Sequence, residues 1–226
     1  MLYHQRDWSA STFHREHFIQ RHPEDKYIWE QQGNAYGENQ QWVKAAKYFE
    51  RLLEKDPNDV RLLNGVGTTL LAAGDRDGYR RLCDRFIEAH QETEDVNTAD
   101  MLVKLLAIGN AKLPNPQFAY VLNQKHLDAH SGHIGLLVNQ ALLHLTAAEP
   151  EEAITYCDRL IDGSKAPLPR TTAIAIRALA KKQIGDATGY EADLATARKE
   201  RHKIQSYWSG VWLDLAHIDM LIDKME

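Results

Sequence analysis

A spacing of 34 residues constrains this chain more than any other feature. Trp8 and Trp42, Pro23 and Pro57, and Asp25 and Asp59 each stand 34 positions apart, and Phe18 takes the place of Leu52. The clearest unit runs from Lys26 to Asp59, KYIWEQQGNAYGENQQWVKAAKYFERLLEKDPND. Ile28, Trp29, Gln32, Gly33 and Tyr36 fall on one stripe of a helix, and Trp42, Ala45, Ala46, Phe49, Leu52 and Leu53 on one stripe of a second. Gly33 and Ala45 leave room for a close helix crossing, and the aromatics fill the space on either side. Pro57, after Asp56, cannot continue the second helix, so the chain turns there into the next unit. A single helix pair cannot bury its apolar face alone, and such units are stable only when stacked.

The unit resembles the tetratricopeptide repeat (TPR). Against the pattern W-x2-L-G-x2-Y…A-x3-F…P it supplies Trp29, Gly33, Tyr36, Ala45, Phe49 and Pro57 at the required spacings, with Gln32 where the pattern has Leu. The same register runs on with substitutions. Leu63, Gly67 and Leu70 stand for Trp29, Gly33 and Tyr36, with Gly74 closing that helix. Tyr79 takes the place of Ala45, which predicts a splayed or repacked helix pair. Between Asp95 and His130 the pattern weakens around a loop, GNAKLPNPQ. It returns with Leu137, Ala141, Ala153, Cys157 and Leu160, and again with Ile174, Ala178 and Tyr190, where Gly185 matches Gly74. Trp208, Val211, Trp212, Leu215, Ile218 and Ile222 form one stripe near the C-terminus, the form of a helix that covers an apolar face.

The resemblance implies an all-α, TPR-type α-solenoid, a right-handed superhelix of helix pairs with a C-terminal capping helix. The expected division is a partial repeat over 1–25, helix pairs over 26–59, 60–93, 94–130, 131–164 and 165–203, and the cap over 204–226. The run LLAAGDRDGYRRLCDRF, the irregular middle and the closing W-x-x-x-W-L-D-L resemble more narrowly the C-terminal TPR region of large bacterial proteins that begin with a kinase or WD40-type domain. That likeness carries no catalytic residues. It implies a non-catalytic interaction region with a peptide or protein as partner. Two cysteines and an N-terminus without a signal-peptide apolar stretch make a cytoplasmic protein the expectation. The alternative to an interaction region is a spacer that stacks end to end, forming homo-oligomers through its exposed repeat ends.

In TPR arrays the first helix of each repeat lines the concave surface. Carried over by register, that surface would present Tyr27, Glu30 and Asn34, then Arg61, Asn64 and Thr68, then Asn139 and Leu142. Asparagine amides there would hold a peptide backbone, Leu142 would take a side chain, and Asn34 and Asn64 are expected to point to solvent. A carboxylate clamp is not expected, because Glu30 and Gly65 stand where it needs Lys and Asn.

Other chemistry is weakly represented. His126 and His130 form an i, i+4 pair with His133 nearby, but no complete ligand set accompanies them, so no metal and no cofactor is expected. His14-Arg-Glu-His17 has the wrong spacing for a zincin. Cys83 and Cys157 occupy the position of Phe49, which predicts buried core thiols. The basic cluster Arg198, Lys199, Arg201 and Lys203 is interrupted by Glu200, and a net charge of −5 argues against a nucleic-acid partner. No apolar run approaches the ~20 residues needed to span a bilayer, so no membrane partner is expected.

Overall fold

The computed structural model describes the backbone of residues 2–109, 116–204 and 211–224, and the side chains of 11–109, 117–204 and 213–224. Most of the GNAKLPNPQ loop, Trp208, and the side chains of Trp8, Val211 and Trp212 lie outside the described residues. Within them there are twelve α-helices, one short 3₁₀ turn and no strand. After α1 (Leu2–Arg21) the helices pair along the chain: α2 (Lys26–Glu38) with α3 (Trp42–Lys55), α4 (Leu63–Ala72) with α5 (Arg76–His90), and α6 (Val96–Ile108) with α7 (Pro116–Ala129). Then come α8 (Ile134–Thr146) with α9 (Pro150–Gly163), α10 (Pro167–Gln183) with α11 (Ala187–Lys203), and a last helix, α12 (Val211–Asp223).

Local chemistry sets the helix ends. Asp25 accepts hydrogen bonds from the amides of Tyr27 and Ile28 and starts α2, and Asp95 accepts from Thr98 and starts α6. Gly-Asp-x-x-Gly-Tyr occurs twice, at 74–79 and 185–190. In both copies the first glycine has positive φ, +78° at Gly74 and +79° at Gly185, which ends one helix. The aspartate then caps the next, Asp75 on the Gly78 amide and Asp186 on the Gly189 amide. Pro150 and Pro167 open α9 and α10, where the missing amide hydrogen is no loss.

The core follows the stripes. Phe49 is 3% exposed, and its ring lies between α2 and α4. A Cβ built on Gly33 would stand 3.1 Å from that ring, and one on Gly65 also 3.1 Å, so the two glycines form opposite walls of its slot. Gln32, the one departure from the repeat pattern, is fully buried against α1. Its side-chain oxygen accepts from Arg15 Nε at 2.7 Å, and its amide donates to the Thr12 carbonyl at 3.4 Å. The Tyr36 hydroxyl donates to Glu16 on α1, and burial, then this carboxylate, pushes the phenol up to about 12. The α1–α2 junction is therefore built on polar contacts where a repeat-to-repeat joint would bury Leu.

Tyr79 repacks its helix pair as its bulk requires. α4 and α5 touch along a shorter stretch than α2 and α3 do, and Tyr79 reaches across to α6, donating its hydroxyl to the Leu105 carbonyl. Cys83 and Cys157 are both buried, and burial pushes the Cys83 thiol up to about 12. Farther along, Arg177 on α10 bonds Asp193 on α11 through Nε (2.8 Å) and Nη2 (2.7 Å), and meets Asp158 on α9 at 2.5 Å. Lys181 adds a second cation to Asp193 at 2.9 Å.

Candidate functional site

α4, α6, α8 and α10, each the first helix of its pair, touch in succession and form a continuous inner surface. α12 lies against this surface, touching α2, α4, α10 and α11. Leu215, Ala216, Ile218, Leu221 and Ile222 are buried by it. Three polar links fix its position. Thr68 Oγ1 on α4 shares a 2.5 Å hydrogen bond with His217 Nε2, Lys104 on α6 meets Asp214 at 2.5 Å, and Arg201 on α11 holds both oxygens of Asp219 at 2.7 Å. Burial pushes the His217 imidazole well below its ordinary range, so the ring is neutral at pH 7.

Between α6, α8, α10 and α12 remains a cavity of about 230 Å³. Its apolar walls include Ile108, Ile134, Val138, Leu142, Leu168 and Leu221, and its polar lining is Asp100, Lys104, Asn139, Thr172, Asp214 and His217. Asn139 Nδ2 donates to the Asp100 carbonyl at 3.0 Å and to its carboxylate at 2.8 Å. Gly135 makes space for that carboxylate, since a Cβ there would sit 2.2 Å from Asp100 Oδ2. Burial lifts the Asp100 carboxyl above its usual range, with Lys104 acting against the rise.

Residues 27–59 match the family model of the tetratricopeptide repeat. A tetratricopeptide repeat protein from Parabacteroides merdae is 14% identical over 96% of this chain and 79% of its own, with a TM-score of 0.65. PilW, a widely conserved type IV pilus biogenesis factor, is 15% identical over 87% of each chain, with a TM-score of 0.55. The fold is a TPR-type α-solenoid. No curated protein sequence matches the chain. TPR folds generally mediate protein–protein interactions, and the repeat is typically non-catalytic.

The structure separates the eight residues expected on the inner face into three groups. Thr68, Asn139 and Leu142 come together beneath α12, all three buried: Thr68 on His217, Asn139 on Asp100, and Leu142 in the cavity wall. Tyr27 and Glu30 on α2 are exposed. So is Arg61, whose guanidinium is held by Asp59 at 3.0 and 2.7 Å, at the rim of a separate depression with Asn58, Asp95 and Asn97. Asn34 and Asn64 correct the expectation of solvent-facing amides. Asn34 is only 8% exposed, and Asn64 is half-buried with its Oδ1 bonded to no described residue. Register places a residue on the inner side of its helix, but it does not show that a further helix covers that side.

Two of the three histidines singled out from spacing, His126 and His133, have structural partners. His126 is buried and faces the Thr93 carbonyl at 3.1 Å, while His133 caps α8 by accepting from the Leu136 amide. The residues that sequence reasoning missed are Asp100, Lys104, Gly135, Asp214 and His217. A signal for two of them was present in the last helix, where Asp214 and His217 interrupt an apolar run at i, i+3 spacing.

Proposed function

We propose that this chain is a non-catalytic protein-interaction module whose concave face receives a helical segment of a partner protein. The observation that carries this reading is the present occupant of that surface, the amphipathic helix α12. A groove that accepts one apolar helical stripe has the shape and chemistry to accept another. Lys104 and Arg201 add a charge requirement. They meet Asp214 and Asp219 of α12, so an entering helix would bring carboxylates five positions apart beside its apolar stripe. α12 then occupies the groove when no partner is present.

The test uses the full chain with α12 loosened by His217→Lys and Asp219→Arg, together with a fluorescent peptide of residues 205–226 supplied in trans. The double variant should bind the peptide with a Kd on the order of micromolar, and the unchanged chain should bind it far more weakly. A double variant that keeps its helical circular dichroism but ignores the peptide would remove the groove reading.

A second reading, end-to-end stacking of copies, draws support from α1. Phe13 and Phe18 are 56% and 42% exposed at the N-terminal end of the solenoid. Phe18→Asp should abolish any concentration-dependent dimer seen by analytical ultracentrifugation.

A further inference from the structure

We infer that the cavity beneath α12 is a binding site for a primary alkylammonium group, with Asp100 as the counter-ion. The lining leaves acceptor oxygens open on Asn139 and Asp100. Asn139 is fully buried, yet its Oδ1 bonds to no described residue. Asp100 receives bonds from Asn139 on its carbonyl and Oδ1, and no described residue donates to Oδ2. A buried acceptor such as Asn139 Oδ1 left open in this way is rare and costly, and it favours a ligand that supplies N–H donors.

Charge points the same way. The lining carries two carboxylates, Asp100 and Asp214, against one ammonium, Lys104, and His217 is neutral, which leaves one negative charge uncompensated. Lys104 lies 2.5 Å from Asp214 and acts on Asp100 only through space, so Asp100 is the carboxylate without a cation within bonding distance among the described residues. Size narrows the ligand further. The cavity of about 230 Å³ is smaller than the roughly 300–1,000 Å³ of pockets for drug-sized ligands. The apolar walls of Ile134, Val138, Leu142 and Leu168 suit a short methylene chain behind the charged end. Gly135 holds the arrangement open, because any side chain there displaces the carboxylate. The site is complete while α12 is docked, and the inference does not rest on the groove reading.

The test titrates the full-length chain with n-butylammonium chloride, n-butanol and Nα-acetyl-lysine methylamide at neutral pH, followed by amide and methyl NMR shifts. The ammonium should bind saturably, moving the Gly135 amide and the Leu142 methyls, and the neutral alcohol should bind about tenfold or more weakly, as expected when a charge-assisted bond is lost. Asp100→Asn should lower ammonium affinity by a similar factor. Gly135→Ala should do the same by moving the carboxylate, so a variant that fails to fold still leaves the other. If the lysine derivative binds as well as butylammonium, the natural source is a lysine side chain, and if only the free amine binds, it is a small metabolite. Equal binding of alcohol and ammonium, an absence of saturation, or an affinity unmoved by a folded Asp100→Asn would overturn the assignment. None of these readouts involves the 205–226 peptide.

Discussion

The Phe49 slot gives the sharpest test of how the solenoid is assembled. In an open helical position Gly→Ala stabilises by roughly 0.5–1 kcal/mol, because alanine loses less backbone entropy on folding. Gly163, the last residue of α9, is such a position, with nothing within 4 Å of a built Cβ. Gly33 and Gly65 are the opposite case. A Cβ on either lies 3.1 Å from the Phe49 ring, so the ring must retreat by a few tenths of an ångström. After Gly33→Ala it can retreat only toward Gly65, and after Gly65→Ala only toward Gly33. Overpacking of this kind costs about 1–3 kcal/mol. Set against the alanine gain, each single change should therefore destabilise by about 0–2.5 kcal/mol. In the double variant neither direction is open, and the loss should exceed the sum of the singles by about 0.5–3 kcal/mol. Gly33→Leu should be worse than Gly33→Ala. Urea denaturation followed by far-ultraviolet circular dichroism reads all of these, and a chain of this length should lose about 2–4 °C of Tm per kcal/mol. Additive singles, or singles as stabilising as Gly163→Ala, would refute the account of one ring held between two glycines.

Two further outcomes follow from charge. His217 has a folded pKa below that of the free imidazole, so its contribution is complete above about pH 6.5 and lost as pH falls below it, by up to about 1.4 kcal/mol per pH unit. Urea midpoints measured from pH 7 down to 5.5 should fall more steeply in the unchanged chain than in His217→Gln, and parallel curves would mean that the ring is not buried against Thr68. Arg177→Met should destabilise by roughly 1–3 kcal/mol, because Asp193 is left with Lys181 alone. Burial raises the Asp193 carboxyl, but Arg177 and Lys181 outweigh that and hold it low, so the difference should be present above about pH 4 and shrink below it.

Much of the fold was legible because its determinants are local. Gly33 opposite Phe49, the glycines that end α4 and α10 with positive φ, and the buried Cys83 and Cys157 each follow from spacing within one repeat. The bulk of Tyr79 announced an altered helix pair, and the pair is altered. Gln32 read as a flaw in the pattern and is the polar joint to α1. The site was not legible for the opposite reason. Thr68 and His217 are 149 positions apart, and Lys104 and Asp214 are 110. No repeat arithmetic connects such pairs. The apolar stripe of the last helix told that it would cover something. The surface available to it was set by how the preceding helices stack.

The position of α12 also fixes how the two proposed ligands would act on one another. A partner helix that enters the groove has to displace α12, so its apparent affinity is reduced by the fraction of molecules in which α12 is undocked. The alkylammonium site contains Asp214, His217 and Leu221, all from α12, and is complete only while that helix is docked. Each ligand then selects the state that the other excludes. Thermodynamic reciprocity makes the effect mutual: the amine weakens the partner segment by the same factor by which the segment weakens the amine. With the helix-loosened double variant, butylammonium should raise the Kd of the 205–226 peptide if that peptide docks without restoring the native cavity. It should lower the Kd if the peptide rebuilds α12 in its native register, since Asp214 and Leu221 return with it. The sign of that one coupling separates a groove that accepts helices generally from one shaped to its own C-terminal helix.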